Sequence, residues 1–196
     1  HVGRISHTSL LPDGAAPVSS SSQPAKAMTF TRNGFEPVSP ARALADAEIP
    51  GLIENYRQAA RNAMDAGFDG VEVHGANGYL LDEFLRDGSN QRTGAYGGPI
   101  ANRARLLLEV VDAAVGVWGA GRVGVRISPL NSYNDMKDSD PLALTGYVAA
   151  ELNRRDVAFL DLMRGDFFGV QKGDVVSVAR REFKGALLCG MATRRP

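Results

Sequence analysis

The sequence predicts an α/β fold of parallel strands joined by helical crossovers, and a β/α barrel in preference to a doubly wound sheet. Three observations carry this. Short β-branched runs alternate with helical stretches of ten to twenty residues. No Gly-x-Gly-x-x-Gly turn follows any of those runs, so the dinucleotide fingerprint of a doubly wound sheet is missing. Polar side chains stand at the carboxyl ends of the strands, where a barrel gathers its site: His74 ends one, and Arg126 with Ser128 ends another.

Taken in order, residues 8–45 are rich in Ser, Pro and Ala, including Ser19-Ser20-Ser21-Ser22, and show no helical or strand period. They read as a long loop, functional or a flexible linker. From Asp46, the residues Ile49, Ile53, Tyr56, Ala60 and Ala63 recur at steps of three and four, a helical stripe. Asp46 is placed as its N-cap, Pro50 in its first turn and Gly67 as its C-cap. Residues 70–74 form the next strand, with Glu72 and His74 on one face and Val71 and Val73 on the other. A helix over about residues 99–118, stopped by Gly119, leads to a strand at 123–128. A third helix starts with Asp140 as cap and Pro141 at its first position, runs to about Arg154, and precedes a strand at 158–163. A weaker helical segment near 175–182 precedes a last strand at 186–189.

The chain has 196 residues, one domain's worth, with 44% hydrophobic content and 22 basic against 22 acidic residues. Nothing in this balance draws it to nucleic acid or to an anionic membrane, and a small, nearly neutral ligand is the expected partner. No run reaches the roughly 18 apolar residues of a membrane span. The single cysteine, Cys189, allows no internal disulfide, which fits a reducing compartment, and a cytoplasmic location is expected. His1 and His7 lack metal-ligand partners at useful spacing, Met163 and Met191 read as packing residues, and no metal is expected.

His74, Asn77 and Tyr79 put three hydrogen-bonding groups on one turn. His and Asn supply N–H donors that can converge on a carbonyl oxygen as charge develops there, and Tyr79 keeps its proton at pH 7 and can act as a general acid. The same trio also serves as caps and core groups, and spacing leaves both readings open. Arg126, on an inward strand face, needs an anion; a reduced flavin, a cofactor phosphate or a carboxylate such as Glu72 would all serve. The polar loop Asn90-Gln91-Arg92-Thr93-Gly94 ahead of a helix suits a phosphate or, more simply, holds itself together.

Longer runs then match a family. The stretches His1-Val2-Gly3-Arg4-Ile5-Ser6-His7, Gly70-Val71-Glu72-Val73-His74-Gly75-Ala76-Asn77-Gly78-Tyr79, Leu85-Arg86-Asp87-Gly88-Ser89-Asn90-Gln91-Arg92-Thr93 and Val123-Gly124-Val125-Arg126-Ile127-Ser128-Pro129 resemble the old yellow enzyme family of FMN-dependent reductases. The bacterial maleimide, nitrate-ester, xenobiotic and morphinone reductase type is nearest in pattern. The resemblance implies an eight-stranded barrel with FMN bound noncovalently at its mouth, reduced by NAD(P)H. The reduced flavin then serves an α,β-unsaturated carbonyl compound or a related nitro or nitrate-ester substrate, an electron-poor small molecule. Carried over, His74 and Asn77 bind the activating oxygen, Tyr79 protonates the α-carbon, Arg126 contacts the flavin, and Gly190 offers backbone N–H to the FMN phosphate. On the family's layout the chain is a single domain, residues 1–196, covering about strands three to seven, with residues 8–45 a long loop on the active-site side. Strands one, two and eight are expected to be absent, so self-association and a truncated, non-catalytic remnant unable to retain FMN stand as alternatives. The loop also departs from the family pattern, with Gly94 where Asp is usual and Pro99 where Ser is usual.

Overall fold

The computed structural model of the chain describes residues 2–190; His1 and Met191 lie outside the described residues. In chain order the strands and helices are β1 (Val18–Ser19), β2 (Met28–Thr31), β3 (Gly34–Pro37), β4 (Arg42–Ala43), α1 (Ile49–Asp65), β5 (Val71–Gly75), α2 (Leu80–Leu85), α3 (Ile100–Trp118), β6 (Val123–Ile127), α4 (Pro141–Arg154), β7 (Phe159–Met163), α5 (Val175–Glu182) and β8 (Ala186–Gly190). The main sheet is four-stranded in the order β5-β6-β7-β8, and every pair is parallel.

Its two faces differ sharply. Val73, Val125, Leu160 and Leu162 are buried in one core with Leu107, Val110, Val148 and Leu152 of α3 and α4. The opposite face carries Glu72, His74, Arg126 and Asp161, all exposed or half-buried. Helices α1, α3, α4 and α5 pack side by side in sequence. Helices covering one face while polar groups line the other is the cross-section of a β/α barrel; a doubly wound sheet would bury both faces. Burying each large aliphatic side chain in that core stabilises the chain by about 1.5–3 kcal/mol.

Local chemistry sets the helix ends. The Asp140 carboxylate accepts the Ala143 N–H at 2.9 Å and Pro141 opens α4; Asp174 accepts the Ser177 N–H at 3.0 Å at the start of α5. Gly67 closes α1 with φ +83°, a conformation that would strain any side chain. Asp46, expected as the N-cap of α1, sits instead in a 3-10 turn, Asp46–Glu48, and its carboxylate pairs with Arg92. Helix α1 begins at Ile49, with Pro50 in its first turn as expected.

Residues 8–45, expected to be a long loop, hold more structure than that. β1 pairs in parallel with β4, and β2 and β3 form an antiparallel hairpin closed by Arg32 and Asn33. The strands are two and four residues long, too short to print a period on the sequence. No helix among the described residues is long and apolar enough to cross a membrane.

Candidate active site

The parallel register builds the floor of the site. His74 stands opposite Arg126, Arg126 opposite Asp161, and Asp161 opposite Leu188, so one row of side chains crosses the open face. Arg126 Nη1 donates to Asp161 Oδ2 at 3.0 Å. The carboxylate partner of Arg126 is therefore Asp161 and not Glu72, which the register sets one layer lower, opposite Gly124. Gly124 has no room for a side chain there: an added Cβ would meet the Phe159 ring at 2.1 Å.

Beyond β5 the chain makes a tight left-handed turn, with Asn77 at φ +60° and Gly78 at φ +76°. Asn tolerates this region, and Gly78 is required twice over, since a Cβ would also lie 2.7 Å from Asn134 Cβ. Four hydrogen bonds fix the turn. The Asn77 N–H donates to Ser128 Oγ at 2.7 Å, and the Gly78 N–H donates to Asp82 Oδ2 at 2.9 Å. Asn134 Nδ2 donates to the Asn77 carbonyl at 2.8 Å, and Asn131 Nδ2 donates to Asn77 Oδ1 at 3.0 Å. With its oxygen engaged, the Asn77 amide presents N–H to the open side.

Tyr79 follows as the N-cap residue of α2, its ring 5.9 Å from the His74 ring. Burial, aided by the Arg126 charge and opposed by a hydrogen bond with the Ala76 backbone, holds the His74 imidazole below its ordinary range, which favours the neutral ring at pH 7. Burial likewise raises the Tyr79 phenol, reinforced by Tyr133 and opposed by a hydrogen bond with Asn134, so Tyr79 is protonated at pH 7. Tyr79 opens onto a cleft of about 330 Å³ walled by Ile5, Leu10, Met28, Phe30, Phe35 and Tyr133. Tyr79 lines this cleft beside the His74 ring, and a phenol that keeps its proton there can act as a general acid.

A flavin fits the neighbouring residues. Arg126 Nε is buried without a hydrogen bond, and its guanidinium lies beside Gly190, where a Cβ would come within 3.9 Å of Nη2. A cationic donor with unmet capacity over a side-chain-free strand end suits a planar, anionic ring edge. Gly190 ends β8, and its carbonyl accepts the Arg164 N–H at 3.3 Å. The 90–98 loop proves structural: Asn90 Nδ2 donates to the Phe84 and Tyr96 carbonyls, and Arg92 to those of Ser20 and Leu44. Met163 is buried, as its packing reading expects, and His7 caps the turn Thr8–Leu10.

The structure places His74, Asn77, Tyr79 and Arg126 at the carboxyl ends of β5 and β6, and Asn131, Asn134 and Asp161, which the sequence did not single out, hydrogen-bond to them. The run Asn131-Ser132-Tyr133-Asn134-Asp135 has the composition of any surface turn, and only its position over the β5–α2 turn gives it a role.

The comparisons with known proteins agree with this geometry. The chain is 55% identical over 165 residues to a probable flavin mononucleotide-dependent alkene reductase of Leishmania infantum, covering 84% of this chain and 45% of that protein. It is 49% identical to 12-oxophytodienoate reductase 1 of Oryza sativa subsp. japonica, over 79% of this chain and 40% of that one. The chain thus spans less than half the length of these relatives. Among solved structures, morphinone reductase superimposes with a TM-score of 0.91 at 43% identity, over 98% of this chain and 54% of that one. The old yellow enzyme homologue from Zymomonas mobilis gives 0.92 at 37% identity, over 98% and 55%. The sheet is accordingly part of a β/α barrel, and with its profile matched over residues 1–180, the chain belongs to the NADH:flavin oxidoreductase / NADH oxidase family.

Proposed function

We propose that this chain carries the substrate-binding and proton-donating part of an FMN-dependent ene-reductase, an oxidoreductase that takes hydride from NAD(P)H and reduces an activated C=C bond. The observation that carries the reading is the convergence of neutral His74 and oriented Asn77 beside a protonated Tyr79. The names of the relatives, an alkene reductase and an oxophytodienoate reductase, support the same substrate class: electron-poor alkenes, chiefly α,β-unsaturated carbonyl compounds, with nitro and nitrate-ester compounds as related acceptors.

In this reading His74 and Asn77 donate N–H bonds to the activating oxygen, and each donor lowers the barrier by about 3–4 kcal/mol as charge builds there. Tyr79 holds a proton at Oη and gives it to the α-carbon. Arg126, anchored by Asp161, and the backbone N–H of Gly190 would hold FMN, which when bound would supply hydride.

Tyr79→Phe in the FMN-loaded protein tests the assignment. Substrate reduction should fall by about 10²-fold or more while flavin reduction by NAD(P)H is retained, because only the proton donor is removed. Equal loss in both half-reactions would refute it. The second reading, a remnant that does not retain FMN, is favoured by the half-exposed row on the open sheet face, with Leu188 50% exposed. Incubating the 196-residue polypeptide with FMN and removing the excess separates the two, since retained flavin absorbs visible light.

A further inference from the structure

We propose that Ser128 and Asp82 are positioning residues for Asn77: the buried Asp82 carboxylate orients the Ser128 hydroxyl, and that hydroxyl holds the Asn77 backbone. The inference rests on the reading of Asn77 as a donor to the activating oxygen of the substrate. Asn77 stands at φ +60°, a conformation that a non-glycine residue keeps where its surroundings hold it. Three bonds do so. The Asn77 N–H donates to Ser128 Oγ at 2.7 Å, its side-chain Oδ1 accepts from Asn131 Nδ2 at 3.0 Å, and its carbonyl accepts from Asn134 Nδ2 at 2.8 Å.

Two of these holders lead to one guanidinium. Arg86 Nη1 donates to the Ser128 carbonyl at 3.0 Å and to the Asn131 carbonyl at 3.2 Å, so the residues that grip Asn77 at its N–H and at its side chain share a donor. The same nitrogen lies 3.8 Å from Asp82 Oδ2. That oxygen accepts the Gly78 N–H at 2.9 Å and the Ser128 hydroxyl at 3.4 Å. A serine has one hydroxyl proton, and directing it at Asp82 turns an oxygen lone pair toward the Asn77 N–H. The Gly78 bond alone would serve as a cap for α2. The Ser128 bond has no such use, because Ser128 follows β6 and lies outside the helix. Asp82 and Arg86 are 1% and 0% exposed. Replacing a buried ion pair by apolar side chains of the same volume is often neutral for stability, so its place beneath this turn points to geometry.

The test compares Ser128→Ala, Ser128→Thr, Asp82→Asn and Asn77→Gly, with the first and third also combined with Asn77→Gly. Reduction of cyclohexenone is measured on the FMN-loaded protein, and hydrogen exchange at the Asn77 amide is read by NMR with and without FMN. Ser128→Ala removes the acceptor of the Asn77 N–H and leaves the Gly78–Asp82 bond in place. It should lower kcat/KM about 10-fold and speed exchange at the Asn77 amide about 10-fold or more. Ser128→Thr keeps a hydroxyl and should recover kcat/KM to within about threefold of the unaltered protein. Asp82→Asn, of the same shape without the charge, should repeat the Ser128→Ala signature. Glycine tolerates the positive φ, so Asn77→Gly removes the amide without backbone strain. In that background Ser128→Ala and Asp82→Asn should each cost less than about twofold, because changes that act through one residue do not add. An unmoved Asn77 exchange rate in Ser128→Ala overturns the proposal, and so does a loss of kcat/KM that persists in the Asn77→Gly background. If Asp82→Asn does not fold, Ser128→Ala still carries the decision, since it breaks the link through which Asp82 acts. If Asn77→Gly itself leaves cyclohexenone reduction intact, the reading of Asn77 as donor fails, while the exchange rate still decides whether Ser128 holds it.

Discussion

The β5–α2 turn and the β2–β3 hairpin both border the cleft at Tyr79, yet they are built on opposite terms. The turn is fixed from beneath by buried polar groups, with Arg86 fully enclosed among Asp82, the Ser128 and Asn131 carbonyls and Gln171. The hairpin stands largely in solvent: Phe30 and Phe35 are 67% and 73% exposed and lean on each other edge to face, 5.4 Å between centroids. The polar groups of the turn are held by buried hydrogen bonds, and the aromatic rings of the hairpin are left to adapt.

Breaking the rigid side should cost most. Arg86→Ala strands the buried Asp82 carboxylate and two carbonyls, and should lower unfolding stability by about 3–5 kcal/mol in a denaturant titration. A loss under about 1 kcal/mol would erase the contrast between the two regions. Next comes a pH signature of the same network. Burial raises the Glu83 carboxyl to about 8 and that of Asp82 to about 6. A folded-state pKa above the unfolded one means these two groups bind more protons in the native chain, so their contribution to stability is fully present below about pH 4 and is lost as pH rises toward 8. Glu83→Gln should flatten that slope, and a slope of opposite sign in the unaltered protein would contradict the buried, protonated state.

Asp166 gives an intermediate case. Its carboxylate gathers the N–H groups of Ser132, Phe168, Val170 and Gln171 and the Ser132 hydroxyl, tying the loop after β6 to the loop after β7. Asp166→Ala should cost about 1–3 kcal/mol and speed amide hydrogen exchange in both loops together. Exchange that quickens in one loop alone would mean they are not coupled through this carboxylate. The smallest effect belongs to the hairpin. Phe35→Ser removes an exposed edge-to-face contact and should change stability by under about 1 kcal/mol, while raising KM for apolar substrates more than it changes kcat.

The two regions were also unequally legible. Asp140-Pro141 announces α4 because caps are local chemistry, and the His74 strand is announced by its β-branched run and closing glycine; α5 shows only as a weaker helical segment. Helix α2 left no stripe, because all six of its residues are buried and a helix enclosed on every side has no polar face. In the hairpin the signal was present but short: four residues on either side of Arg32-Asn33, with Gly34 at φ +103°. His74, Asn77 and Tyr79 stand close in sequence and could be found there. Arg126 with Asp161, and Asn134 with Arg4, meet only through register and loop crossing, which residue spacing does not encode.

The bond from Asn131 to Asn77 Oδ1 has one more consequence. An amide tethered by its oxygen has lost the freedom to flip, so the end it leaves without a partner is the one that carries hydrogen. A ligand approaching through an ammonium or another group with only protons to give finds no welcome there. One approaching through a bare oxygen does, and the turn sorts visitors by the sign of the charge they can accept before any bond is changed.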